Sequence, residues 1–408
     1  MSRVPLVVVG AYLPQTGFTR VLLSVLSRLA ATREYDIHYV GLSYKGPPIQ
    51  HERMLIYPCN LQGGDVFGAW QGAALAQSVG ARAVLLLNDL WILKNYIPAF
   101  ASLRDRLKLM AYAPLDGRLP DPSWIAPLIS VDRFVVYTKF GQREVEAACA
   151  TLSPTFKKVD IIPHGVDTTV FHPVERRSAR EQLFPDRPEL WDAFLVLNAN
   201  RPVPRKRIDL TIEGFASFAR QAPSHVKLYL HHAILTTVER DQILAWARQH
   251  DVIDRLLLSE DPTPTSDERL NLIYNACEVG LNTAMGEGWG LVSLEHAATG
   301  AAQVVPRHSA CEEIWEAGGV LVDVDARYVP SFSPLEMATV APAAVGRALE
   351  RLFADEPYRR MMSTAAYDTA TRSSYTWDAI ASQWAQVIRE TIDAAPRNHP
   401  STSHHARR

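Results

Sequence analysis

A glycine-rich turn late in the chain carries two glutamates at a fixed spacing. Gly286, Gly288 and Gly290 follow a predicted strand and precede a predicted helix, and Glu287 and Glu295 lie eight residues apart around that helix start. Glycines let a backbone approach an anion closely, and the free N–H groups of a helix start attract negative charge. Because carboxylates repel phosphate, we expect the glutamates to face neutral hydroxyls. A tight turn with surface glutamates would produce the same pattern.

A second candidate is a strongly basic loop in the middle of the chain. Arg201, Arg205, Lys206 and Arg207 come soon after the predicted strand Phe194–Leu197. Arginine can fork onto phosphate oxygens, and lysine supplies a compact positive charge. The prolines in the loop stiffen it, which reduces the entropy lost when it holds a ligand. The loop therefore favours phosphate binding, although a solvated basic turn is an alternative interpretation.

Aspartates follow two strands in the first half of the chain. Asp89 comes after the run Ala83–Leu87, and Asp116 comes after Leu107–Tyr112. The carboxyl ends of parallel strands meet at one edge of a sheet, so both side chains can face a cleft there. An aspartate in that position can bind or deprotonate an acceptor hydroxyl. Capping of the next helix or turn explains each of them equally well.

Short β-rich runs alternate with amphipathic stretches through both halves of the chain. The clearest helix is Phe18–Leu29, whose apolar residues recur at helical spacing. The alternation breaks between His172 and Trp191, which we interpret as a linker, and Asp323–Ala341 is predicted to be irregular. The fold class is therefore α/β, with two Rossmann-like doubly wound parallel-sheet domains facing across a cleft. The predicted strands are Pro5–Val9, Ala83–Leu87, Leu107–Tyr112, Arg133–Val136, Phe194–Leu197, Val226–Leu230, Leu256–Leu258, Val279–Leu281, Gln303–Val305 and Val320–Val322.

Composition limits the class of protein. A chain of 408 residues is too long for one hydrophobic core, so two or three domains are expected. The formal net charge of −2 gives no electrostatic reason to bind nucleic acid. The four cysteines fit neither a disulfide framework nor a zinc site, which favours a cytoplasmic protein. No apolar run approaches the roughly 20 residues that span a bilayer, and no DxD-like acidic cluster indicates a metal.

Four segments, in order, resemble the retaining GT-B glycosyltransferases of family 4, the glycogen-synthase-like group. They are IPHGVDTTVFHP, NANRPVPRKRIDL, GEGWGLVSLEHAATG and the C-terminal YTWDAIASQWAQVI. One such motif is only suggestive, but four in the family's order, spread over nearly the whole chain, are specific. The resemblance implies retaining transfer of a sugar from a nucleoside-diphosphate sugar to a hydroxyl acceptor, which can be a glycan, a lipid-linked compound or a small molecule.

The resemblance also implies roles for particular residues. Arg201 and Lys206 match the family's pair that neutralises the donor diphosphate, and Glu287 matches the residue nearest the reacting carbon, so these three are the catalytic candidates. Glu295 matches the ribose-binding glutamate. The further donor-binding candidates are Gly17, Gly288, Trp289, Gly290 and Leu291, and the acceptor-binding candidates are Asp116 and Asp89.

The sequence departs from the family pattern at two positions. Thr16-Gly17 stands where the family often has two adjacent glycines. Arg207 stands where the family commonly has a glycine after the lysine, and we expect its charge to tune the donor site.

The implied organisation is an acceptor domain at residues 1–175, completed by a C-terminal helix at 376–393, and a donor domain at 190–372. Residues 394–408 are predicted to be disordered because they are polar and have no apolar period. Fixed cations and helix-start amides can stabilise a leaving diphosphate without a metal, so no cofactor is expected. No residue is marked as a covalent nucleophile, which favours front-face transfer with the departing phosphate accepting the proton.

Other functions fit parts of this pattern. A nucleotide-sugar epimerase or a sugar phosphorylase can use the same scaffold, although no cofactor-binding lysine for a phosphorylase is evident. A non-catalytic nucleotide-sugar-binding module would keep Arg201, Lys206 and Glu295 without turnover. A dinucleotide oxidoreductase is disfavoured because no GxGxxG occurs at residues 10–17. Peripheral membrane contact is a further alternative, but core packing explains the first amphipathic helix more simply.

Overall fold

The fold consists of two parallel sheets with helices packed around them. The structure is a computed structural model, and it describes residues 3–14, 16–59, 63–152, 159–232, 234, 236–259 and 265–394. Most of the tail predicted to be disordered lies outside the described residues.

The first sheet is built from the N-terminal part of the chain. Its strands are β1 (Val4–Ala11), β2 (Tyr35–Leu42), β3 (Ile49–His51), β4 (Met54–Pro58), β5 (Ala83–Leu87), β6 (Lys108–Ala113), β7 (Arg133–Val136) and β8 (Asp160–Ile161). Their order is β3-β4-β2-β1-β5-β6-β7-β8, and among these described strands only the β3–β4 pair is antiparallel. The helices between them are α1 (Gly17–Ala31), α2 (Ala69–Ser78), α3 (Leu90–Leu93), α4 (Tyr96–Ala99) and α5 (Lys139–Leu152), with 3-10 turns at Ala101–Leu103 and Pro122–Ser130.

The second sheet has the order β11-β10-β9-β12-β13-β14 and is parallel throughout its described strands. Those strands are β9 (Phe194–Asn198), β10 (Val226–Leu230), β11 (Leu256–Leu258), β12 (Val279–Leu281), β13 (Ala302–Pro306) and β14 (Val320–Val322). The helices of this half are α6 (Arg176–Leu183), α7 (Ile208–Ala219), α8 (Thr237–Gln249), α9 (Asp267–Asn275), α10 (Leu291–Ala297), α11 (Ser309–Trp315), α12 (Pro342–Ala354), α13 (Glu356–Ala370) and α14 (Trp377–Asp393). Short 3-10 turns occur at Pro188–Leu190, Pro204–Lys206, Ile253–Arg255 and Ser373–Tyr375.

Apolar periodicity explains why these elements form. All five residues of β5 are buried, as expected for a strand covered on both faces. In α1, the buried residues Val21, Leu22, Val25 and Leu26 recur at helical spacing and face the first sheet. Each such side chain contributes about 1.5–3 kcal/mol of transfer free energy on burial. The two predicted parallel sheets are therefore present.

The last helix returns to the first sheet. The hydroxyl of Tyr35 in β2 donates to the carbonyl of Ala385 in α14 at 3.4 Å, and Trp384 of the same helix is fully buried. Arg28 of α1 pairs with Asp378 at 2.6 Å. The chain thus closes by packing α14 against α1.

Two segments differ from the expectations drawn from the sequence. The stretch Asp323–Ala341 is not wholly irregular, because β15 (Val324–Tyr328) pairs antiparallel with β16 (Met337–Val340). The stretch taken as a linker contains α6, whose residues Ala179 and Leu183 are buried. Polar residues separate the few apolar residues of both segments, so their apolar periodicity is too weak to indicate a helix or a strand.

Two findings bear on the environment of the protein. All four cysteines are buried and free of disulfides. Among the residues that the structure describes, no helix combines the length and the apolar character needed to cross a membrane.

Candidate active site

The glycine-rich turn and the basic loop lie side by side at the carboxyl edge of the second sheet. They follow β12 and β9, which are neighbouring strands. The N–H of Met285 in the turn donates to the carbonyl of Arg205 in the loop at 2.8 Å. The hydroxyl of Thr283 donates to the carbonyl of Arg207 at 2.9 Å. The two segments therefore share one site.

The helix that follows the turn brings several donor-binding candidates together. Gly290 precedes the first residue of α10 with φ +94°, a conformation that L side chains rarely adopt. A Cβ added to Gly17, at the start of α1, would lie 3.4 Å from Cδ1 of Leu291. Glu295 falls on the buried face of α10. The structure thus places Gly17, from the first domain, beside the helix start of the second.

Glu287 is the centre of a buried ion cluster. Its carboxylate accepts a hydrogen bond from the ammonium group of Lys206 and another from Asn282 Nδ2 at 3.1 Å. The guanidinium of Arg205 lies 3.3 Å from the other carboxylate oxygen. The Glu287 side chain is only 5% exposed and that of Lys206 12%. The acid expected to face the sugar and the lysine expected to hold the diphosphate are therefore in direct contact.

The neighbouring cations decide the charge state of Glu287. Burial alone would raise the pKa of Glu287, but Lys206 and Arg205 outweigh it and lower that pKa to about 2. Burial lowers the pKa of Lys206, and the contact with Glu287 opposes this shift. Glu287 is therefore ionised near neutral pH. It can stabilise positive charge, but it cannot donate a proton there.

The two predicted diphosphate ligands differ in their surroundings. Arg201 is exposed, and its side chain has no hydrogen bond or ion pair with the described residues. Arg205 was not among the catalytic candidates, yet its guanidinium donates to the carbonyl of Gly286 and lies 3.3 Å from both Glu287 and Asp116. Four cations in one loop cannot be ranked by charge alone. The 3-10 turn at Pro204–Lys206 begins with a proline, which favours a helical start but does not indicate which cation turns inward.

Arg207 has a backbone that explains why a glycine suits its position. Its φ of +48° lies in the left-handed region, where glycine is free of strain. Its guanidinium donates to Asp209 at 2.7 Å. The extra charge that we expected to tune the donor site is thus paired with an adjacent carboxylate.

The two acceptor candidates meet different partners. Asp116 lies 3.3 Å from Nε of Arg205 and accepts a hydrogen bond from the backbone of Gly288. Asp89 precedes α3, and its side chain does not cap that helix. Burial, reinforced by Asp116, raises the pKa of Asp89 to about 7, although Arg205 and Arg201 oppose the shift. Asp116 therefore contacts the donor-side loops, while Asp89 titrates near neutrality.

A backbone bridge joins the loop of Asp116 to the β15–β16 hairpin. The N–H of Arg118 donates to the carbonyl of Glu336 at 2.9 Å, and the reverse bond is also 2.9 Å. A Cβ on Gly117 would lie 2.2 Å from that carbonyl oxygen, so only glycine fits there. Met337 of the hairpin packs into the apolar core of the first domain. The hairpin thus holds the acceptor-side loop against the donor-side turn.

Trp289 belongs to a buried aromatic group that spans both domains. Its ring centroid is 5.6 Å from that of His164, which lies 4.1 Å from the ring of Tyr137. The indole N–H of Trp289, the hydroxyl of Tyr137 and both ring nitrogens of His164 have no hydrogen-bond partner among the described residues. Burial lowers the pKa of His164 to about 3, so its ring is neutral.

In the part of the chain that the structure describes, no cluster of three or more His, Cys, Asp or Glu side chains could hold a metal ion. The charges at the carboxyl edge come instead from Lys206 and the arginines of the basic loop. Independence from metal stays a prediction.

Comparison with known sequences finds glycosyltransferases. No protein-family model matches the chain. The D-inositol 3-phosphate glycosyltransferase of Segniliparus rotundus is 29% identical over 201 residues, which cover 47% of this chain and 42% of that protein. The protein of the same name from Stackebrandtia nassauensis is 26% identical over 253 residues, covering 60% and 52%. The chain thus spans about half the length of the curated relatives it matches.

Comparison with solved structures covers almost the whole chain. Sucrose-phosphate synthase from Thermosynechococcus elongatus superposes with a TM-score of 0.75 at 19% identity, covering 96% of this chain and 100% of that one. Anabaena Alr3699/HepE, in complex with UDP and glucose, has a TM-score of 0.70 at 14% identity, with coverage of 95% and 100%. The chain therefore has the GT-B fold of two Rossmann-like domains, as predicted. The sequence relatives that it matches are glycosyltransferases.

Proposed function

We propose that this chain is a retaining glycosyltransferase similar to those of family 4, which transfers a sugar from a nucleoside-diphosphate sugar to a hydroxyl acceptor. The observation that carries the proposal is the contact between the basic loop and the glycine-rich turn, where Lys206 and Arg205 surround Glu287. A sugar diphosphate needs cations beside its phosphates and a hydrogen-bond acceptor beside its neutral hydroxyls. This edge of the sheet supplies both.

The charge of the site suits a diphosphate leaving group. Arg201, Arg205 and Lys206 bring three positive charges, and Glu287 and Asp116 bring two negative ones. Asp89, whose pKa is raised to about 7, is neutral below that pH, so the site there has an excess of one positive charge. When a diphosphate binds, it draws Lys206 and Arg205 toward its oxygens. Glu287 is then left to contact the sugar.

The proposed transfer uses these positions. The bond between the anomeric carbon and the phosphate oxygen breaks, and Lys206 with the arginines stabilises the charge that develops on the diphosphate. Ionised Glu287 stabilises the positive charge at the anomeric carbon. The acceptor hydroxyl attacks from the face that the diphosphate leaves, and its proton passes to a departing phosphate oxygen. Asp89 binds that hydroxyl, and closure of the domains excludes water.

Radiolabelled donors test the activity. The chain is incubated with UDP-, GDP- and ADP-sugars, beginning with UDP-glucose, with D-inositol 3-phosphate among the acceptors. Transfer or slow donor hydrolysis supports the proposal, whereas binding without turnover supports a nucleotide-sugar-binding module. Epimerisation of the donor without release of the nucleoside diphosphate would identify the epimerase alternative.

The role of Glu287 is tested in the same assay. Glu287→Ala should lower turnover by about 10²–10³-fold, in line with the loss of one preorganised electrostatic partner. It should change the affinity for the free nucleoside diphosphate little. Glu316→Ala, at an exposed glutamate that follows the last residue of α11, is the control. Intact turnover in Glu287→Ala refutes the assignment.

Stereochemistry and metal dependence need separate measurements. NMR of the first product should show the same anomeric configuration as the donor, and an inverted product contradicts a retaining mechanism. Turnover should be unchanged after treatment with EDTA. Its loss, followed by recovery with Mg²⁺ or Mn²⁺, would contradict metal independence.

A further inference from the structure

Arg20, on α1 of the first domain, reaches across to Glu295 of the second. Its Nε lies 3.2 Å from one oxygen of Glu295, and its two terminal nitrogens donate to Asp267 at 2.6 and 3.1 Å. The hydroxyl of Tyr274 donates to the other oxygen of Glu295 at 3.1 Å. The guanidinium also lies over the ring of Phe171, 5.3 Å from its centroid. Elements from both domains thus hold one carboxylate.

This ion pair differs from an ordinary surface salt bridge. The Glu295 side chain is 6% exposed and that of Arg20 27%, so removal of the cation would leave a carboxylate buried without a charge partner. A carboxylate has about four acceptor positions, and each oxygen of Glu295 has one of the contacts above. Acceptor positions therefore remain for hydroxyl groups of a ligand.

Arg20 opposes the effect of burial on the pKa of Glu295. Burial raises the pKa of Glu295 and Asp267 adds to the rise, whereas Arg20 and Tyr274 oppose it. Burial would lower the pKa of Arg20, but Glu295 and Asp267 outweigh it and raise that pKa, so Arg20 stays charged. The charged groups that face Glu295 from the packed elements are thus Arg20 on α1 and Asp267 on α9, with Tyr274 as its hydroxyl partner.

We propose that Arg20 is a positioning residue of the donor site, which holds the carboxylate of Glu295 so that it accepts hydrogen bonds from the ribose hydroxyls of a nucleoside diphosphate. This inference rests on the proposed function. Because Arg20 and Glu295 belong to different domains, the ribose site is complete only when the domains are in contact. Donor recognition is thereby coupled to closure of the cleft.

Calorimetric titration separates the ribose contact from the phosphate contact. UDP, GDP and ADP are titrated first, and the tightest of them is compared with its 2′-deoxy form and with inorganic pyrophosphate. Wild type should bind the 2′-deoxy form about tenfold more weakly, a loss of about 1.4 kcal/mol. Arg20→Gln should bind the ribonucleotide about tenfold more weakly and lose the discrimination against the 2′-deoxy form. Its affinity for pyrophosphate should equal that of wild type.

A matched control lies on the same helix. Arg28 also forms a long-range ion pair, with Asp378 at 2.6 Å, but this pair lies on the more exposed side, where α14 packs on α1. Arg28→Gln should therefore behave like wild type with all three ligands. Arg20→Lys, which keeps the charge, should recover part of the lost affinity and serves as the second variant if Arg20→Gln unfolds.

The pH dependence of binding distinguishes positioning from mere structural support. Without Arg20 the pKa of Glu295 rises further, so its carboxyl becomes protonated at higher pH and loses affinity for hydroxyls. Ribonucleotide affinity of Arg20→Gln should fall at least threefold between pH 8 and pH 6, beyond any change in wild type. Arg20→Lys should restore the wild-type profile.

The outcomes separate this inference from the proposed function. If wild type binds none of the three nucleoside diphosphates, the proposed function fails and the role of Arg20 fails with it. If wild type binds one of them and Arg20→Gln keeps the same affinity, discrimination and pH profile, only the role of Arg20 is overturned.

Discussion

Two clusters of paired acidic and basic side chains lie at the second sheet. One is at the amino ends of its strands (the amino edge) and the other at their carboxyl ends (the carboxyl edge). The amino-edge cluster is Arg180 and Glu278, where the guanidinium donates to both carboxylate oxygens at 2.8 Å. The carboxyl-edge cluster is Lys206, Arg205, Glu287 and Asp116, described above. Both pair opposite charges, and the acids of both are buried, while Arg205 and Lys206 are partly exposed. Burial of an ion pair therefore does not by itself mark a functional site.

The clusters differ in where their partners come from. Arg180 also donates to the carbonyls of Ala276 at 2.8 Å and Trp191 at 3.1 Å, and Glu278 accepts from the N–H of Leu195 at 2.8 Å. These contacts fasten α6 to the second sheet. The carboxyl-edge cluster instead joins loops of two domains, and its cations outnumber its acids once Arg201 is included. The amino-edge cluster is suited to stabilising the fold. The carboxyl-edge cluster is suited to ligand binding, because its cations can leave their carboxylates and pair with the ligand.

The largest expected effect is on the amino-edge cluster. Arg180→Ala removes the cation that bonds both oxygens of Glu278 and leaves only the more exposed Arg176, 3.6 Å away. It should lower the free energy of unfolding by about 3–5 kcal/mol. Urea denaturation followed by tryptophan fluorescence measures this. Arg177→Ala, at an exposed arginine of the same helix, should cost less than about 1 kcal/mol. If both variants lost the same free energy of unfolding, the proposed difference between buried and exposed ion pairs would be contradicted.

A smaller effect is expected where the hairpin meets the loop of Asp116. Gly117→Ala places a methyl group against the carbonyl of Glu336 and should cost about 1–3 kcal/mol, with a fall in turnover because the carboxyl-edge cluster loses its first-domain partner. Glu336→Ala keeps the backbone bridge and should change little, since its partly buried side chain only approaches the exposed Arg118 at 3.8 Å. Thermal unfolding and kcat are measured for both. If the Tm and kcat of Gly117→Ala equal those of wild type, this bridge does not support the site.

The third prediction, with the smallest change, concerns how kcat/KM for the acceptor and the Tm depend on pH through Asp89. Asp89, with its pKa raised to about 7 by burial, is neutral below that pH and ionised above it. If its carboxylate binds the acceptor, kcat/KM for the acceptor rises by up to tenfold from pH 6 to pH 8, and Asp89→Asn flattens this step. The pKa is raised by folding, so stability contributed by the neutral form is lost as pH rises toward 7. Asp89→Asn should therefore raise the Tm more at pH 8 than at pH 5, and an unchanged pH profile contradicts the acceptor role.

The sequence predicted elements well where apolar periodicity was strong. The strands Ala83–Leu87, Arg133–Val136 and Val279–Leu281 have the bounds expected from the pattern. The hairpin and α6 were missed because polar residues interrupt their few buried positions. The domain boundaries and the roles of the site residues stay predictions.

Long-range pairings limited what could be predicted of the site. The contacts of Arg205 with Asp116 and of Arg20 with Glu295 join residues far apart in the chain. A motif shows that cations and acids are present, but only the packing of two domains shows which of them meet. The family resemblance implied that the basic loop and the glycine-rich turn serve one donor site, and in the structure both follow neighbouring strands of one parallel sheet. The inward direction of Arg205 was not predicted.

The central claim is that a diphosphate binds between the basic loop and the glycine-rich turn. Calorimetric titration of wild type, Lys206→Ala and Lys227→Ala with inorganic pyrophosphate and with UDP, GDP and ADP tests it most directly. Lys227 lies on β10 and donates to the carbonyl of Asp254 at 2.9 Å, so its variant is the control. Lys206→Ala should bind pyrophosphate and the preferred nucleoside diphosphate at least tenfold more weakly, while Lys227→Ala should match wild type. Unchanged affinity in a folded Lys206→Ala variant would contradict this claim.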